Sequence, residues 1–147
     1  MTGIHRSTEV PYRASWVPIA GHSLVVAGLH FDAVKIAGEL AIHIADALID
    51  ARDGAPVGPI VHEVFRRGLT YFLVPPGAAR VLRWPPGIEV LDRTRSAHVG
   101  IPALWGNTWP LCWRSVPTSD ARLVEVEPLH RLACAETGFT PTPIPRG

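Results

Sequence analysis

One stretch constrains this chain more than any other: Leu69-Thr70-Tyr71-Phe72-Leu73-Val74-Pro75-Pro76-Gly77. Leu69, Tyr71, Phe72, Leu73 and Val74 are apolar or β-favouring, and they follow the turn signal Arg66-Arg67-Gly68. Pro75-Pro76-Gly77 then ends the run. A short continuous apolar run closed by breakers predicts a buried central strand, not a helix. Loops leaving such strands often carry function, so the exit after Val74 is the first place to look for a site.

The rest of the chain supplies neighbours for that strand. Ile60-Val61-His62-Glu63-Val64-Phe65 reads as a strand, and Arg66-Arg67-Gly68 turns it into the central one as a hairpin. Leu24 to Gly28 and Leu29 to Val34 are two further candidate strands. In the second, His30 and Asp32 share one face by period-2 alternation. Ile88 to Leu91, His98 to Ile101 and Leu111 to Arg114 complete the set. By its alternation with Leu111 and Trp113, Cys112 is expected to be buried against a sheet face.

One segment has clear helical period. Ile36, Leu40, Ile44 and Leu48 recur every four residues with Ala37, Ala41 and Ala45 beside them, so 36–52 is the main helix. Asp53-Gly54 is its stop, with Pro56 beyond. Ala78 to Leu82 is expected to make one helical turn, and Leu123 to Leu132 a short helix broken by Pro128. The fold class is α+β: five to seven short strands in a mixed or antiparallel sheet, covered on one face by the helix at 36–52.

The domain boundaries follow from composition. Residues 1–15 are polar and aperiodic and form a loose arm; 16–132 is a single α+β domain; 133–147 is a proline-rich tail. The chain has 147 residues, the size of one ordinary domain, and its 47% hydrophobic content can supply a real core. Net charge is only +1, which argues against tight non-specific DNA binding. Arginine carries nearly all the positive charge, Lys35 being the only lysine. Cys112 and Cys134 form no paired motif and read as reduced thiols, and the N-terminus has no apolar signal core. A cytoplasmic protein without a membrane segment is expected.

Three blocks, in order, resemble a known family. They are Leu29-His30-Phe31-Asp32-Ala33-Val34; then Gly58-Pro59-Ile60-Val61 with Tyr71-Phe72-Leu73-Val74-Pro75-Pro76-Gly77; then His98-Val99-Gly100-Ile101-Pro102-Ala103 with Trp113-Arg114. They resemble small actinobacterial proteins related to the N-terminal domain of bifunctional DNA primase/polymerases, of the archaeo-eukaryotic primase superfamily. The resemblance covers roughly residues 22–117. Active relatives use close carboxylates to hold two divalent cations, with a His on the triphosphate, and this is the logic of two-metal phosphoryl transfer.

This chain departs from that pattern. Asp32 has His30 and Val34, not a carboxylate, two residues away. No His lies between Leu69 and Gly77; His62 is on the preceding strand. Asp92 lies one residue from the position of the third acid. The resemblance therefore implies a primase/polymerase-like domain that is not catalytic and binds nucleotide or single-stranded nucleic acid, with His30, Asp32, Asp92, His98 and Arg114 lining the cleft. No catalytic residue and no metal site is assigned; Mg²⁺ or Mn²⁺ is implied only where residual activity survives. Two alternatives stand beside it: a protein-interaction or regulatory module without nucleotide binding, and a residual metal-dependent nucleotidyl-transfer enzyme. Partners are nucleotide or single-stranded DNA in the first case and a protein in the second.

Other motifs carry less. The histidines lack zinc-ligand spacing, no serine sits in a Gly-x-Ser-x-Gly elbow, and no Gly-Lys-Ser/Thr loop is present. Trp105, Trp109 and Trp113 could stack single-stranded bases, but closing the edge of a small core is the plainer role for them.

Overall fold

The computed structural model describes residues 12–65 and 68–141. The elements run β1 (His22–Val26), β2 (Asp32–Ala37), α1 (Gly38–Ala51), β3 (Ile60–Glu63), β4 (Leu69–Val74), β5 (Glu89–Leu91), β6 (His98–Pro102), β7 (Leu111–Ser115) and α2 (Val126–Thr137). All strand pairs are antiparallel. Five strands form one sheet in the order β5-β2-β4-β3-β7, and β1 pairs with β6 in a second, two-stranded sheet. The class is α+β.

β4 is the middle strand of the large sheet, hydrogen-bonded to β2 on one side and β3 on the other. Alternation explains why its apolar run is unbroken. Phe72 and Val74 point into the core shared with the helices, whereas Leu73 points into the core shared with β6. All three are fully buried. Each such side chain contributes about 1.5–3 kcal/mol relative to exposure.

The large sheet is thus the middle of three layers. Val34, Ile36, Ile60 and Phe72 meet Ile44 and Leu48 of α1 and Leu129 and Ala133 of α2 on one side. Ala33, Val61 and Leu73 meet Phe31, Val99 and Ile101 on the other. The β3–β4 hairpin expected around residues 66–68 is present, although Arg66 and Arg67 themselves lie outside the described residues.

Several boundaries differ from the sequence expectation. The strand expected over 29–34 begins only at Asp32, because Gly28 adopts φ +105° and its N–H closes a turn onto the Phe31 carbonyl at 2.7 Å. Leu29 and His30 are therefore in an exposed turn, and His30 does not share a strand face with Asp32. Ile36 is not helical: it lies on β2 and pairs with Thr70 of β4, and Gly38, at φ +72°, turns the chain into the helix directly after the strand. Its spacing from Leu40 matched a helix because both side chains enter the same core. The helix stop at Asp53-Gly54 is confirmed, both residues having positive φ.

Residues 78–82 form turns, not a helical turn. In the C-terminal part Pro128 does not break a helix. It occupies the first turn of α2, where a backbone N–H has no intrahelical acceptor to lose. α2 then continues to Thr137 with Ala133 fully buried, so the tail expected from 133 starts beyond the helix. At the other end, Met1–Pro11 of the expected arm lie outside the described residues, while Ala14 is buried in the core. Residues 142–147 of the tail also lie outside them. Among the described residues no helix is long and apolar enough to cross a membrane.

Candidate functional site

The start of β2 and the end of β5 lie side by side. Ala33 pairs with Leu91, so Asp32 and Asp92 stand one step beyond the last ladder pair, next to each other. Asp32 in turn pairs with Val74 at the end of β4. This brings the Pro75-Pro76-Gly77 exit of the central strand onto the acids. Together Gly28, Asp32, Gly77, Arg80, Asp92 and Arg93 line a cavity of about 130 Å³.

Both carboxylates are held. Asp32, 1% exposed, accepts the Gly77 N–H on Oδ2 at 2.7 Å. Asp92, 7% exposed, accepts the Thr94 N–H at 2.9 Å and the Thr94 hydroxyl at 2.5 Å, both on Oδ1. The second arrangement is an Asx turn, in which an aspartate caps the backbone two residues on. The other oxygens, Asp32 Oδ1 and Asp92 Oδ2, accept no hydrogen bond among the described residues.

The two acids differ electrostatically. Burial pushes the Asp32 carboxyl above its usual range, the Gly77 N–H opposes that shift, the Asp92 charge adds to it and Arg80 offsets part of it. The Thr94 hydroxyl holds Asp92 below the usual range against the opposing effect of burial, helped by the Thr94 N–H, Arg80 and Arg95. Two carboxylates and the exposed Arg80 and Arg93 thus share one small pocket, with formal charges that balance.

A wider hollow of about 490 Å³ adjoins this pocket, and Gly28 and Arg93 line both. Val26, Ala27, Leu29, Ser96 and His98 complete its wall. Leu29 is 68% exposed, so the hollow has an apolar lip beside a basic side chain.

Of the five residues nominated from sequence, Asp32 and Asp92 come together and His98 lies in the adjoining hollow. His30 lines a separate hollow with Tyr12, Trp16 and Arg122. Arg114 is on β7, the opposite edge of the large sheet, where it binds Asp46 at 2.6 Å. Sequence reasoning missed Gly77 and Arg80 as site residues. The signal was available, since both follow the Pro-Pro stop at the end of the central strand. Cys112 is exposed, contrary to expectation. Trp105 and Trp109 do not close a core edge either; they are 69% and 61% exposed. Trp113 does pack in the core, its indole N–H donating to the Ala103 carbonyl.

Among the described residues no three or more His, Cys, Asp or Glu side chains group as a metal site. Comparison with known proteins found no matching protein family, no matching curated protein and no matching solved structure.

Proposed function

We propose that this domain binds a nucleotide or another phosphate-bearing ligand together with one divalent cation at the Asp32–Asp92 pocket, without catalysing its turnover. The observation that carries this reading is the meeting of two carboxylates and two arginines at the exit of the central strand. Mg²⁺ is commonly held by one or two carboxylates plus substrate phosphates, and the disengaged Asp32 Oδ1 and Asp92 Oδ2 suit that role. The cation would neutralise the acids and supply charge to the phosphates. Arg80 and Arg93, which line the same pocket, would supply bidentate phosphate contacts. The adjoining hollow, with Leu29 and His98, is large enough for a sugar and base. The resemblance to primase/polymerase-like domains supports the same ligand class. A two-cation transferase site needs more carboxylate ligands than these two.

The test is thermal shift with Mg²⁺ or Mn²⁺, with and without ATP or dNTP, on wild type, Asp32→Ala and Arg80→Ala. A cation-dependent nucleotide shift that Asp32→Ala abolishes and Arg80→Ala weakens supports the reading. At a ligand concentration of 100 Kd, stabilisation of about 2.7 kcal/mol is expected. No shift with any combination rejects it, and primer synthesis above background would instead establish residual nucleotidyl transfer. A protein-interaction module is the second reading, favoured by exposed Trp105 and by Trp109 packed edge-on against exposed Phe65 at 4.7 Å.

A further inference from the structure

At the other edge of the large sheet, a cavity of about 230 Å³ opens beneath α1. Ile42, Ala45, His62, Thr70, Cys112 and Arg114 line it. Strand register sets three of these side chains in one row. Thr70 of β4 pairs with His62 of β3, and His62 pairs with Cys112 of β7. Directly opposed residues of antiparallel strands share a face, with Cβ atoms about 4.5–5.5 Å apart. A hydroxyl, an imidazole and a thiol therefore follow one another across three strands.

Each member is prepared differently. His62 Nδ1 lies 3.2 Å from Thr70 Oγ1, which fixes the ring plane and leaves the other ring nitrogen for a second partner. Thr70 is itself buried. Cys112 is a free, exposed thiol. Arg114 follows two residues along β7 on the same strand face and lines the same cavity, its guanidinium bound to Asp46 at 2.6 Å. Cys134 is the internal contrast: its Sγ sits 3.6 Å from a histidine nitrogen, His130 Nε2, but it is half-buried, and that burial disfavours its thiolate.

We propose that Cys112 is a reactive thiol that exchanges with small anionic disulfides, His62 taking its proton, Thr70 positioning the His62 ring and Arg114 binding a carboxylate of the incoming molecule. The thiol proton passes to His62. The Cys112 thiolate attacks one sulfur of the disulfide, the sulfur–sulfur bond breaks, and the displaced half leaves as a thiolate that takes up the proton. The products are a mixed disulfide on Cys112 and one free thiol; the incoming disulfide is the only oxidant required. The cavity brings an exposed thiol and an imidazole onto one wall, and the reaction calls for a thiol, a proton acceptor and access. The site is separate from the Asp32–Asp92 pocket and stands independently of the nucleotide reading.

The experiment incubates the full chain with oxidised glutathione, which is anionic, or with bis(2-hydroxyethyl) disulfide, which is neutral. Peptide mass spectrometry then follows the rate at each cysteine. Cys112 is expected to form the mixed disulfide well before Cys134, and Cys112→Ser to lose it. His62→Gln should slow Cys112 by about tenfold or more at neutral pH, the deficit closing in strongly alkaline buffer, where hydroxide takes the thiol proton instead. Arg114→Ala should slow glutathione exchange and spare the neutral disulfide. The proposal is overturned if Cys134 reacts as fast as Cys112, or if His62→Gln keeps the wild-type rate at neutral pH. It is equally overturned if the His62→Gln deficit persists at high pH, as a misfolded variant would show, or if Arg114→Ala affects both disulfides alike.

Discussion

Asp32 and Asp92 stand next to each other at the adjoining ends of β2 and β5, yet their ionisation is pushed in opposite directions. Asp32 is desolvated with one backbone N–H on its carboxylate, whereas Asp92 is held by two donors from Thr94. Carboxylates with such different surroundings should respond differently to the same substitution.

Asp32→Asn removes a desolvated charge and keeps an oxygen for the Gly77 N–H. The variant should be more stable than wild type at neutral pH in metal-free buffer, by on the order of 1 kcal/mol, or about 4 °C in Tm. The sign follows from linkage. A carboxyl raised above its ordinary value of 3.8 favours the folded state below that value and loses this contribution as pH rises through the folded pKa. The advantage of Asp32→Asn should therefore be absent in strong acid and complete near neutrality. Thermal melts at a series of pH values check this, and a variant less stable than wild type at pH 7 would contradict it.

Asp92→Asn should do the reverse. Its carboxyl is lowered from 3.8, so its contribution is present above that value and is lost as pH falls through the folded pKa. Loss of the charge on two Thr94 hydrogen bonds should destabilise the protein by about 1–2 kcal/mol at neutral pH. Thr94→Val removes only the hydroxyl donor and should cost less. Urea unfolding of both variants would show the order.

Gly28 is the position where backbone crowding holds the pocket together. It has φ +105°, and a Cβ there would lie 2.5 Å from the Arg93 Cα. Gly28→Ala should cost more than about 2 kcal/mol and displace Arg93 from the pocket wall. Gly54→Ala is the control, with positive φ but nothing within 4 Å of the added carbon, so it should cost only about 1 kcal/mol. Similar melting temperatures for the two variants would refute the argument.

Phe72→Ala should be the most damaging core change. The ring is fully buried in the layer between the large sheet and the helices. Truncation should cost about 3–5 kcal/mol. Chemical denaturation should show the loss as a lower midpoint with little change in slope.

Local pattern alone settled the centre of this protein. The apolar run at 69–74, its Pro-Pro-Gly stop and the four-residue spacing through Leu40, Ile44 and Leu48 determined a central strand, its hairpin partner and the main helix. Burial of those side chains dominates folding, and burial is what hydrophobic period records. Element edges were less legible. The breaks at Gly28 and Gly38 depend on positive φ, and Pro128 is tolerated because of its place in the first turn of α2; neither leaves a mark in the period. The sequence also supplied Asp32 and Asp92 as candidates, but it grouped them with His30 and Arg114, which the fold sends elsewhere. Only the tertiary structure decided which polar groups meet. Antiparallel register joined Asp32 to Asp92 and lined up Thr70, His62 and Cys112, because hydrogen-bonded neighbours across strands need not be close along the chain.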